Sequence, residues 1–166
     1  MNEDAFWALL EASRDEARRT GSRQDEFLAS ALRKLSARDV LIFDEIFFRH
    51  HEAANRWELW AAAELIGDGC SDDGFTDFRS ALIGLGKDVY TRAIADPDTL
   101  ADLPTRGVDL WNESLAYAAR KVYLEKTGSE VEYPSRPPAD PLGKRVEQKE
   151  WPTRFPRLVG LYGSDR

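Results

Sequence analysis

A chain of 166 residues with 42% hydrophobic and 11% aromatic content is long and apolar enough to bury one core, and its 32% of charged residues describe a solvated surface rather than a disordered polymer. Its 23 Lys and Arg against 30 Asp and Glu leave a net charge of −7, carried by residues 1–128, and the acids concentrated between Glu64 and Glu113 disfavour nucleic-acid binding through that face. The single cysteine, Cys70, excludes an intrachain disulfide and a cysteine-rich zinc site.

No apolar run approaches the roughly 20 residues that cross a bilayer. The acidic opening Met1-Asn2-Glu3-Asp4 lacks the basic start and apolar stretch of a signal peptide, so a soluble cytoplasmic protein is expected.

Asn2 is placed to cap a first helix running to about Thr20 and closed by Gly21, with Phe6, Leu9, Leu10, Ser13 and Ala17 at helical spacing. Ser22 followed by Asp25 has the form of a capping box for a second helix, whose stripe is Phe27, Ala31, Leu32 and Leu35. Ser36 with Asp39 repeats the device ahead of a third helix, which carries Val40, Phe43, Phe47 and His51 on one face and Leu41, Ile42 and Phe48 beside it. The most apolar segment, 57–66, predicts a deeply buried helix; propensity leaves open whether it continues the third or breaks near Asn55.

Beyond the loop 67–74, a helix with Phe75, Phe78, Leu82 and Ile83 is expected to reach Gly84 or Gly86. Another spans 87–95 and stops at Asp96-Pro97-Asp98. Residues 99–107 read as a connector. An amphipathic helix follows over 109–127 with Leu110, Leu115, Ala118, Ala119 and Val122 on its apolar side, and Gly128 just past its end. From Tyr133 onward Pro134, Pro137, Pro138, Pro141, Pro152 and Pro156 argue against regular helix, although Val131-Glu132-Tyr133 suits a short extended piece. Trp151, Phe155, Leu158, Val159, Leu161 and Tyr162 are too apolar to leave in water, so the tail should wrap back onto the helices. The expected fold class is all-α: one domain, with a core of six or seven helices over 1–128 and an irregular Pro-rich tail over 129–166 packed on it.

Between Trp57 and Arg79 the chain reads Trp57-Glu58-Leu59-Trp60, then Gly67-Asp68-Gly69-Cys70-Ser71-Asp72-Asp73-Gly74-Phe75 and Asp77-Phe78-Arg79. This stretch resembles the signature of a bacterial family, domain-of-unknown-function family 4240, in which a Trp-containing helix leads into a Gly-Cys-Ser-Asp-Asp loop. The likeness extends to Phe6-Trp7, Val89-Tyr90, Ala95-Asp96-Pro97-Asp98 and Phe155-Pro156-Arg157-Leu158. It implies no reaction and no ligand, because the family carries no assigned activity.

Local physics accounts for the loop in one way: Gly67 or Gly69 takes a positive φ, Ser71 or Asp72 caps the next helix, and Asp72 and Asp73 meet the positive end of its dipole. Cys70 is then a small hydrophobe in a corner. In the functional reading, Asp68, Ser71, Asp72, Asp73 and Asp77 converge on a divalent cation or a basic partner, with Arg79 or Trp57 at the border. The spacing does not suit an EF-hand, since Asp73 and Arg79 stand where that loop needs Gly and Glu if Asp68 is first.

Nucleophilic chemistry has little support. Cys70 sits in an acidic field that raises its thiol pKa, and the only histidines, His50 and His51, point about 100° apart on a helix. The di-iron Glu-x-x-His pattern is absent because Phe48 and Phe47 stand three residues after Glu45 and Asp44. His51 reads as a hydrogen-bonded boundary residue. Trp57, Trp60 and Glu64 share a helix face that serves either as core packing or as a binding platform, and a carboxylate there must pair with a cation or line a cavity.

These readings converge on an intracellular interaction or regulatory module whose acidic helix-loop-helix face meets a basic protein surface. Its expected binding residues are Trp57, Trp60, Glu64, Asp68, Asp72, Asp73, Asp77 and Arg79. The alternative is a small-molecule or divalent-metal binding protein, or an enzyme, with a pocket near the 67–74 loop. No catalytic residue, metal ligand or cofactor is assigned, the balance leans away from an enzyme, no membrane partner is expected, and oligomeric state is left open.

Overall fold

The structure is a computed structural model that describes residues 1–104, 108–132 and 139–163. It is all-α, with no strand among the described residues. Helix α1 (Glu3–Thr20) starts where Asn2 Oδ1 accepts the Ala5 amide at 2.9 Å and ends at Gly21 in the left-handed region at φ 69°. Helices α2 (Gln24–Arg33), α3 (Ala37–Ala53) and α7 (Ser114–Thr127) form one packed group in which α7 lies along α2 and α3 while α1 lies along α2. Leu10, Leu28, Leu32, Phe43 and Val122 are fully buried in this group. Each such side chain contributes about 2 kcal/mol by leaving water.

Helices α4 (Trp57–Gly67), α5 (Asp72–Gly84) and α6 (Lys87–Ala95) complete the core up to a 3-10 turn over Pro97–Asp102. The break left open near Asn55 is real. Helix α3 ends at Ala53 with Ala54 as its C-cap, and Asn55, itself buried, donates through Nδ2 to the Ala139 carbonyl at 2.9 Å. Helix α4 buries Leu59, Ala61, Ala62, Ala63 and Leu65, as its apolar composition predicts.

Several expectations need correction. Ser22 does not cap α2: the helix begins at Gln24 and its N-cap residue, Arg23, makes no side-chain cap. Arg23 instead pairs with Asp25 and donates to Ser114 Oγ at 2.7 Å, drawing that turn toward α7. The buried face of α2 is Leu28, Ala29 and Leu32, so Phe27, Ala31 and Leu35 lie at its margin. Helix α7 begins at Ser114 rather than Asp109, because Asp109 Oδ1 takes the Trp111 amide at 2.9 Å in a local turn. The connector expected at 99–107 is partly the 3-10 turn, and Thr105, Arg106 and Gly107 lie outside the described residues.

Downstream of α7 the tail is more regular than its prolines suggest. After a 3-10 turn at Gln148–Glu150, helices α8 (Trp151–Arg154) and α9 (Pro156–Tyr162) each place a proline in the first turn, where no intrahelical donor is lost. Trp151, Phe155 and Leu158 are buried, but Leu161 is 46% exposed and Val159 and Tyr162 are only partly covered. Tyr133, Pro134, Pro137 and Pro138 lie outside the described residues, and Val131 and Glu132 belong to no strand.

Helix α9 packs on α4 and on the Pro97–Asp102 turn. Its anchor is Asp98, 6% exposed, whose carboxylate accepts the Arg157 amide at 3.1 Å and the Leu158 amide at 2.9 Å. An aspartate 59 residues away in sequence thus caps α9.

Asp44 is a second buried acid, 2% exposed, with Arg120 at 3.6 Å and no hydrogen-bond partner for Oδ2 among the described residues. Burial, only partly opposed by Arg120, pushes its pKa up to about 6. A carboxyl raised in the folded state stabilises below its unfolded value and loses that contribution as pH rises through the folded value. Lowering the pH from 7.5 to 5 should therefore add about 1 kcal/mol of stability from this residue, or about 3 °C in Tm. Asp44→Asn should flatten that part of the Tm-against-pH curve, and an unchanged slope would refute the assignment.

Candidate functional site

The sequence expectation of a site near the 67–74 loop leads to a cleft between α4, the first turn of α5 and the tail. It has a volume of about 340 Å³ and is lined by Trp57, Trp60, Glu64, Cys70, Asp72 and Arg145, with Ala61 and Val146 as its apolar floor. Helical spacing explains the α4 contribution, since Trp57, Trp60 and Glu64 recur at three and four residues. Trp57 and Trp60 stack with centroids 5.5 Å apart, and Trp60 stacks in turn on Phe75 at 4.6 Å. The row continues through Phe78 to Trp111, so the half-buried tryptophan pair is one end of an aromatic row that passes through the buried Phe75 and Phe78 and emerges at the exposed Trp111.

The loop itself is held by backbone. Asp68, rather than Gly67, takes the left-handed conformation that ends α4, at φ 52°, and Gly69 follows at φ 120°. Gly67 is needed for a different reason: a Cβ there would meet the Trp111 ring at 2.6 Å. Trp60 Nε1 donates to the Cys70 carbonyl at 3.3 Å, and Ser71 Oγ accepts the Gly74 amide at 3.1 Å to cap α5. Capping is therefore done by the serine, and Asp72 and Asp73 stand exposed in the first turn.

The eight expected residues divide. Trp57, Trp60, Glu64 and Asp72 share the cleft. Asp73 follows Asp72 by one residue and so points about 100° around the helix. Asp77 lies on that side, where burial and the charges of Glu113, Asp73 and Asp109 raise its pKa. Asp68 is an exposed helix end. Arg79 does not border the cleft: it is 8% exposed, donates to the His51 carbonyl and to Thr76 Oγ1, both at 3.2 Å, and lies 5.0 Å over the Phe75 ring. It joins α5 to the end of α3. Among the described residues no three His, Cys, Asp or Glu side chains are grouped to hold a metal ion, so the five residues proposed for a cation do not converge.

His51 is the boundary residue its position suggested. Its Nε2 lies 3.1 Å from the Thr76 carbonyl, and burial, with Arg79 nearby, lowers its pKa to about 4. His50 pairs with Glu3, stacks against Phe6 and packs against Trp7, away from the cleft.

Burial, with Glu64, Asp72 and Asp77, pushes the Cys70 thiol up to about 11. The thiolate fraction at pH 8 is then about 100-fold below that of an ordinary cysteine, and the greater nucleophilicity of a basic thiolate restores part of this, leaving alkylation about 10-fold slow. Iodoacetamide labelling of the native protein against free cysteine measures it. A rate equal to or above that of free cysteine would contradict the electrostatic picture.

Sequence reasoning missed the tail's share of the site. Arg145 places its guanidinium 5.3 Å over the Trp57 ring, and Gln148 Nε2 donates to Glu64 Oε1 at 3.2 Å. Nothing in local spacing signals a contact made 84 residues away.

A family model described as "Protein of unknown function (DUF4240)" matches residues 1–125. No curated protein and no solved structure matches the chain.

Proposed function

The chain belongs to that family of unknown function, and we propose from its cleft that it is an interaction module receiving a basic side chain of a protein partner between the Trp57–Trp60 pair and the carboxylates of Glu64 and Asp72. The observation that carries this reading is Arg145: a guanidinium already lies over the Trp57 ring at the edge of the cleft. Tryptophan is the strongest aromatic partner for a cation, worth about 0.5–1 kcal/mol at exposed sites and more when water is excluded. Carboxylates beside the ring supply the complementary charge, as in sites that recognise ammonium and guanidinium groups.

Charge on the surrounding surface favours the same partner. Residues 64–113 hold eleven acids against Arg79, Lys87, Arg92 and Arg106. That field accelerates the encounter with a basic protein and opposes a phosphate backbone. The test is a titration of acetyl-Gly-Arg-Gly-Arg-Gly-amide followed by intrinsic tryptophan fluorescence, with its Glu-for-Arg counterpart as control. Saturable binding of the arginine peptide alone, weakened at high salt, is expected; equal response to both peptides, or none to either, would overturn the reading. Agmatine supplies the same guanidinium without a peptide, and binding as tight as the peptide's would assign the cleft to a small cation instead.

A further inference from the structure

Resting on the cleft reading above, we infer that the segment 139–148 is an intramolecular occupant of the site, with Arg145 standing where a partner's arginine will go. The segment is tied down at its start. Trp57 donates its amide to the Leu142 carbonyl at 3.0 Å, Leu142 donates to the Asn55 carbonyl at 2.7 Å, and Ala139 receives Asn55 Nδ2. These bonds form a parallel bridge between Arg56 and Leu142, set in the break between α3 and α4.

From that anchor, the next residues address the cleft in turn. Arg145 takes the Trp57 ring, Val146 is buried into the apolar floor, and Gln148 donates to Glu64. Both features that would recognise an incoming guanidinium, the indole and a carboxylate, are thus already engaged by the chain's own tail. The engagement of Arg145 is weak by construction: it is exposed, and its contact is the ring face rather than an ion pair. Gly143, at φ 85°, lies between the anchor at Leu142 and Arg145, a left-handed backbone state that glycine adopts without strain. Because Arg145 meets the ring through an exposed side chain, rotation of that side chain takes it out of the cleft without breaking the Asn55–Leu142–Trp57 bonds.

An occupied site taxes its ligand. If the ring contact holds the tail in place for most of the time, a competing arginine binds with an affinity reduced by the unoccupied fraction, and removing the occupant restores it. For a contact of ordinary cation–π strength the gain is about 3- to 5-fold.

The full-length chain and its Arg145→Ala and Lys144→Ala variants are titrated with acetyl-Gly-Arg-Gly-Arg-Gly-amide by isothermal calorimetry. Both variants lose one positive charge, but only the first removes the group over the ring. Tighter binding by Arg145→Ala, about 3- to 5-fold, with Lys144→Ala within 1.5-fold of the parent, is the expected result. Equal gains in both variants would reduce the effect to net charge and overturn the inference. Unchanged or weaker binding by Arg145→Ala would also overturn it, leaving the cleft reading intact because the peptide still binds. Failure of all three chains to bind would instead remove the cleft reading, and the tail's role with it. Arg145 is exposed, so folding of the variant is not at issue.

Discussion

Replacing Asp98 by alanine is expected to cost about 2–4 kcal/mol and to release the C-terminal helices, because it deletes one buried carboxylate that serves two backbone amides at once. Those amides, of Arg157 and Leu158, open α9, and Leu158 is fully buried. Without the carboxylate both amides lose this acceptor, and the Leu158 amide is left buried. Asp98→Asn retains one oxygen and should lose about half as much. Three readouts distinguish release of the tail from general destabilisation: the melting temperature, the red shift of tryptophan emission as Trp151 is exposed, and the rate of tryptic cleavage at Arg154 and Arg157. Unchanged cleavage with a lowered Tm would mean that α9 does not depend on this cap.

Reversing the charge of the cleft should have the largest effect on binding. In the double variant Glu64→Lys and Asp72→Lys, two attractive groups become repulsive around the same guanidinium, and affinity for the arginine peptide is expected to fall at least about 100-fold. Asp73→Lys makes a change of the same sign one residue away, outside the cleft. It reverses one charge at the same helix start and should alter affinity by less than about 3-fold, mostly through the association rate. The comparison separates a site from a field. Equal losses in both variants would mean that only the general acidity of the surface matters. All three positions sit on helices, so the melting temperature of each variant is recorded alongside, the lysines at the start of α5 being mildly unfavourable to its dipole.

Much of the fold was legible because its signals are local. Asn2 and Ser36 cap helices within three residues of themselves, Gly21 and Gly128 end them in the left-handed region, and the apolar run of α4 is buried wherever it lands. The misses divide between distant and local competition. Ser22 gives way to Arg23, which reaches the distant Ser114, whereas Asp109 spends its carboxylate on a local turn that delays α7. Pro152 and Pro156, read as breakers, sit where a helix tolerates proline and so begin α8 and α9.

The site divides along the same line. Trp57, Trp60 and Glu64 fall together by helical period, and Asp72 follows from the short loop after α4. Asp73, Asp77 and Asp68 were grouped with them by proximity in sequence, which a helix undoes through its rotation per residue. Arg79 was expected at the pocket border, but it is held instead by the His51 carbonyl and the Phe75 ring. Arg145 and Gln148 are brought to the cleft by the Arg56–Leu142 bridge, a contact across more than eighty residues that leaves no periodic trace.

Nuclear magnetic resonance of the peptide-bound protein tests the cation cleft most directly. Nuclear Overhauser contacts should connect the arginine δ-methylene protons of the peptide to the indole protons of Trp57 and Trp60, with those methylene signals shifted upfield by the ring faces. Contacts confined to other surfaces, or an arginine methylene unshifted at saturation, would contradict the account.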